Sequence, residues 1–107
     1  MNTCTVQELK EKRDRGDDFV LLDVREAEEL AIASIPGANH VPLGELPMRV
    51  ADLSNWMEQE IICMCHHGMR SARAQQILQS AGFTQVRNLT GGIHAWSVTV
   101  DPSVAQY

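Results

Sequence analysis

Ile61-Ile62-Cys63-Met64-Cys65-His66-His67-Gly68-Met69-Arg70-Ser71 is the stretch from which the fold can be read. Its first four residues form an apolar run with no polar alternation, as in a strand covered on both faces. Beyond Ser71, residues Ala74, Ile77, Leu78 and Ala81 recur at helical spacing, and Gly82 closes the pattern. The segment between is therefore a short strand-to-helix loop. Free N–H groups and the positive end of a helix dipole meet at such a loop and favour an anion. Cys65 stands first in it. Thiols at helix N-termini ionise more readily and become nucleophiles.

Reading outward, Phe19-Val20-Leu21-Leu22 is a second continuous apolar run, and it ends at Asp23. Gln85 to Leu89 reads as a short strand, and His40-Val41 as the start of another. Thr5-Val6-Gln7-Glu8 is a capping box, which predicts a helix from Val6 to Arg15 with Gly16 as its stop. Glu26 to Ala33 is rich in helix formers and places Ala27, Leu30 and Ala31 on one apolar face. Leu46, Val50, Leu53 and Met57 repeat at helical spacing. Gly91-Gly92 turns the chain into a short helix carrying Trp96. Residues 99–107 are expected to form a loose tail of the single domain 1–107.

Strands and helices alternate, and the strands read as apolar rather than half polar. This is the pattern of an α/β fold whose parallel sheet is covered by helices on both faces. Ligands in such folds bind at the carboxyl ends of the strands. Asp23 and Cys65 both fall there.

Composition narrows the function classes. The 107 residues suffice for one domain and carry 44% hydrophobic residues. Fourteen acids against nine Lys and Arg give a net charge of −5, which argues against nucleic acid or an anionic membrane as partner. No apolar run approaches a membrane span, and Met1-Asn2-Thr3-Cys4 does not read as a leader. The expected location is cytoplasmic, where the three cysteines stay as free thiols.

Three motifs now occur in order. They are Leu22-Asp23-Val24-Arg25-Glu26 with Ile35-Pro36-Gly37-Ala38, then Cys65 to Ser71, then Gly82-Phe83 and Val86-Arg87-Asn88-Leu89 followed by Gly91-Gly92-Ile93-His94-Ala95-Trp96. Together they resemble the rhodanese-like domains, in particular the bacterial single-domain sulfurtransferases, over almost the full length. The resemblance implies a three-layer fold with a mainly parallel five-stranded sheet. It implies that Cys65 takes a sulfane sulfur from a donor such as thiosulfate or a persulfide. The resulting persulfide passes that sulfur to cyanide, a thiol or a protein. Two departures from the family are visible. Ala33-Ser34 stands where Gly-His is frequent, and His66 and His67 replace residues that are often basic. The second weakens the expectation of a preference for strongly anionic donors.

The chemistry explains why these residue types are grouped. The thiolate attack and the anionic persulfide both require stabilisation, which the amides from His66 to Ser71 can supply as an anion nest. Gly68 lets the loop turn, Met69 lines the mouth, and Arg70 adds a permanent positive charge. Ser71 is expected to cap the helix and to aim its hydroxyl at the sulfur. His66 and His67 read as solvated residues that strengthen the positive field when protonated. Asp23 and Arg25 read as a salt bridge supporting the loop. Cys63 reads as core filler. Cys63, Cys65, His66 and His67 do not read as a metal cluster, because neighbours on an extended chain point apart, so neither metal nor cofactor is expected.

Two further readings stay open beside an active sulfurtransferase. One is a non-enzymatic or partner-dependent sulfur carrier or regulatory module using the same rim. The other is phosphatase or arsenate reductase chemistry, which the Cys-x4-Arg spacing from Cys65 to Arg70 disfavours: the cysteine phosphatases use a loop one residue longer. Expected partners are a small donor, a thiophilic acceptor and, in the carrier reading, a protein. The expected assembly is a monomer or weak homodimer.

Overall fold

A computed structural model describes residues 2–107, so Met1, part of the N-terminal reading above, lies outside the described residues. Five strands form one sheet: β1 (Thr3–Cys4), β2 (Val20–Asp23), β3 (Asn39–His40), β4 (Ile61–Met64) and β5 (Val86–Leu89). Their order is β1-β5-β4-β2-β3, and every pairing is parallel. Helices α1 (Val6–Arg15), α2 (Ala27–Ile32), α3 (Leu46–Arg49) and α4 (Met69–Ser80) connect successive strands, and α5 (Gly92–Thr99) follows β5. Residues 43–45 and 50–56 continue α3 on either side as tighter 3-10 turns. The expected α/β architecture is present.

The side-chain alternation of the strands divides the core in two. Val20, Leu22, Ile61, Cys63 and Val86 face Leu46, Leu53, Ala74 and Leu78 on one side of the sheet. Leu21, Ile62, Met64 and Leu89 face Val6, Leu9, Ile93 and Trp96 on the other. Cys63 is fully buried among the first set, and burial pushes its thiol up to about 12. The predicted capping box opens α1: Thr5 Oγ1 accepts from the Glu8 amide at 3.1 Å, and Glu8 accepts from the Thr5 amide at 3.1 Å.

Two expectations are corrected. The apolar face read into α2 is not packed, since Ala27 and Ala31 are exposed and no α2 residue is fully buried. Polar anchoring holds this six-residue helix instead: the Arg25 guanidinium donates to the carbonyls of Glu29 and Ala33. The tail over residues 99–107 is seated rather than loose. Val104 is buried in the second core layer, its carbonyl accepts from the Ser97 hydroxyl, and Tyr107 reaches the Cys65 loop.

Candidate active site

Strand β4 ends at Met64 and places Cys65 at the carboxyl rim, where the side chain is almost fully buried. The chain then turns through Gly68, whose φ of 114° belongs to the left-handed region that glycine tolerates. Helix α4 begins at once. Cys65 Sγ accepts from the Gly68 amide at 3.1 Å and from the Ser71 amide at 3.4 Å. The sulfur thus occupies the place where the first unpaired amides of α4 converge. Ser71 Oγ lies 3.3 Å from the sulfur. Gly68, not Ser71, is the N-cap, so the expected capping role of Ser71 is not realised; its hydroxyl points at the sulfur.

The hydroxyl has a second partner that sequence reasoning missed. Ser71 Oγ donates to Asn88 Oδ1 at 2.6 Å, while Asn88 Nδ2 donates to the Gly68 carbonyl at 3.1 Å. Asn88 pairs in register with Cys63 across β4 and β5, which sets it beneath the start of α4. An asparagine near the carboxyl end of β5, one residue before Leu89, was the available signal.

Helix α5 buckles the loop from its other side. The Ile93 amide donates to the Cys65 carbonyl at 2.9 Å, and the His94 amide to the His66 carbonyl at 3.1 Å. Gly92 makes this approach possible. A Cβ there would strike both of those carbonyl oxygens.

Arg70 makes no hydrogen bond to the sulfur. Its guanidinium meets Glu29 of α2 through two hydrogen bonds, at 2.6 and 2.8 Å. The Arg70 bonds, assisted by Tyr107, hold the Glu29 carboxyl well below the ordinary carboxylate range. Asp23 and Arg25 form a buried pair at 2.7 Å and reach the loop only at second hand. Arg25 donates to the Tyr107 hydroxyl at 2.9 Å, and that hydroxyl donates to Glu29 at 2.7 Å. A polar chain therefore runs Asp23, Arg25, Tyr107, Glu29, Arg70. Neither Glu29 nor Tyr107 was identified from sequence.

The two loop histidines do not diverge as expected. Because the backbone turns after Cys65, the His66 and His67 rings lie 3.9 Å apart, centre to centre. His66 stacks face to face on Tyr107 at 3.8 Å, and His94 stands 4.9 Å from His67. Burial, with His67 beside it, pushes His66 below its ordinary value, so its positive charge appears only at lower pH. Met69 projects into solvent at the mouth with 86% of its surface exposed.

Comparison with known proteins places the chain as a whole. The family model for the rhodanese-like domain matches residues 5–99. The chain belongs to the rhodanese-like domain family. It is 30% identical over 105 residues to a sulfurtransferase of Allochromatium vinosum, covering 98% of this chain and 96% of that protein. It is 41% identical over 93 residues to the chloroplastic rhodanese-like/PpiC domain-containing protein 12 of Arabidopsis thaliana, covering 85% of this chain and 31% of that one. Three of the curated relatives it matches are much longer, and the chain spans only 23% to 49% of their length. Among solved structures, the human single-domain sulfurtransferase TSTD1 superposes with a TM-score of 0.81 at 30% identity, covering 92% of this chain and 97% of that one. No helix among the described residues is long and apolar enough to cross a membrane.

Proposed function

We propose that this rhodanese-like domain is a sulfurtransferase that carries sulfur as a persulfide on Cys65. The observation behind this reading is the cradle of the Gly68 and Ser71 amides, both of which donate to Sγ. In the first half-reaction the Cys65 thiolate attacks the outer sulfur of the donor. A new S–S bond forms, the old bond breaks, and the leaving group departs with its electron pair: sulfite from thiosulfate, or glutathione thiolate from glutathione persulfide. In the second, an acceptor thiolate or cyanide attacks the terminal sulfur and Cys65 leaves as thiolate. The two amides that hold the resting sulfur also offer hydrogen bonds to the persulfide anion. The residues from His66 to Ser71 form the donor-binding rim. No redox cofactor is needed to balance either step. The proposed setting is the cytoplasm, where thiols remain reduced.

Two observations favour a second reading, delivery by a protein partner. The Arg70 charge is paired with Glu29, which lowers the attraction of the rim for a free dianion, and the exposed Met69 offers an apolar contact beside the thiol. Intact-mass spectrometry after thiosulfate, after glutathione persulfide and then after cyanide tests the proposal. A gain of one sulfur atom, mapped to Cys65, removed by cyanide and lost in Cys65→Ser, is the expected result. No gain with either donor overturns the stand-alone enzyme and leaves the partner-dependent carrier.

A further inference from the structure

The histidine group at the mouth of the loop has a geometry that sulfur transfer does not require. One ring nitrogen each of His66, His67 and His94 lies within 4.8 Å of the other two. Two ring nitrogens in this group, His66 Nε2 and His94 Nδ1, are buried and have no hydrogen-bond partner among the described residues. A buried imidazole nitrogen without a partner is costly, about 1–3 kcal/mol. Both fall within this one histidine cluster, so His66 and His94 each keep a ring nitrogen that no protein group engages.

We propose that His66, His67 and His94 bind a divalent cation of the zinc class. Neutral imidazoles are ligands for Zn and its first-row neighbours, and three of them leave a fourth position for water or an added anion. The supporting frame is already rigid. His66 is fixed by its stack on Tyr107, and His94 rides on the α5 turn whose amides clasp the Cys65 and His66 carbonyls. Tetrahedral bonds of about 2.0–2.1 Å bring ligand nitrogens to roughly 3.3–3.5 Å from one another. Rotation of His67, which is exposed, closes the site toward that spacing. This set differs from the one dismissed on sequence grounds: it omits both cysteines and recruits His94 from a helix remote in the chain.

Calorimetric titration with zinc chloride tests the proposal, supported by the absorption spectrum of the cobalt(II) form. Cys65→Ser removes the competing thiolate, and circular dichroism checks the fold of each variant. The expected result is one zinc per chain in both wild type and Cys65→Ser, with a tetrahedral cobalt spectrum lacking the sulfur-to-cobalt band. His94→Ala and the exposed-site variant His67→Ala should each weaken binding more than about tenfold, since even second-shell losses cost that much. Zinc binding that disappears in Cys65→Ser and survives in His94→Ala and His67→Ala would overturn the proposal in favour of a thiolate complex. Absence of binding to folded wild type would overturn it outright. Neither readout depends on whether the domain transfers sulfur.

Discussion

Ser71 donates its hydroxyl hydrogen bond to Asn88 Oδ1 at 2.6 Å while its oxygen stays 3.3 Å from Cys65 Sγ. The asparagine is oriented by its own bond to the Gly68 carbonyl, so its oxygen faces the serine. In the thiol state the serine oxygen can therefore accept from S–H. In the thiolate or persulfide state the hydroxyl can serve the sulfur only by leaving Asn88. The constant donors are the two loop amides, and the serine is an adjustable one.

Ser71→Ala removes that adjustable donor and strands Asn88 Oδ1 in a buried site. Stability should fall by about 1–3 kcal/mol, read from urea denaturation. The rate of Cys65 persulfide formation should fall by about tenfold, as expected for one hydrogen bond of roughly 1.4 kcal/mol. An unchanged rate would show that the amides alone stabilise the sulfur anion.

The Glu29 carboxyl is depressed in the folded state, so its contribution is present above its ordinary value of 4.5 and fades as pH falls through the lower folded value. Glu29→Gln should be destabilised by about 1 kcal/mol at pH 7, a figure kept small because the paired Arg70 is partly exposed. The gap to wild type should close as acid is added below pH 4.5. A gap that stays constant with pH would mean that the carboxylate charge is not what joins α2 to the loop.

Gly92→Ala places a methyl group against the Cys65 and His66 carbonyls at a residue with φ of 60°. Left-handed strain and overpacking together should cost about 3 kcal/mol or more. Hydrogen exchange should then rise at the amides of Ile93 and His94, whose bonds to the loop are lost. Wild-type protection at those two amides would count against α5 as the clasp.

Cys63→Ala deletes a buried thiol from the middle of β4. It should lower stability by about 1–2 kcal/mol through lost packing, and leave sulfur loading of Cys65 intact by mass. A loss of loading would make Cys63 a participant in the chemistry rather than core.

The sequence carried the central elements because their signals are local. Continuous apolar runs mark β2 and β4, a reciprocal capping box marks α1, and a thiol between a strand and a helix marks the rim. β1 has only two residues, Thr3–Cys4, too few for any periodicity. The apolar stripe of α2 was misread because its anchoring is polar and comes from Arg25, outside the helix. Glu29 meets Arg70 across 41 residues, and Tyr107 meets Glu29 across 78, so no spacing rule links them. The convergence of His66 and His67 depends on a turn that an extended-chain argument could not include.

The Arg70–Glu29 pair also bears on how a donor finds the thiol. The protein is anionic overall, with a net charge of −5, and its loop guanidinium is already neutralised by a carboxylate. In the proposed reaction a dianion such as thiosulfate would approach against the long-range field and be recognised on contact, by the Gly68 and Ser71 amides. Added salt, which screens that opposition, should quicken the encounter with small anions, the reverse of the kinetic salt effect at a cationic pocket.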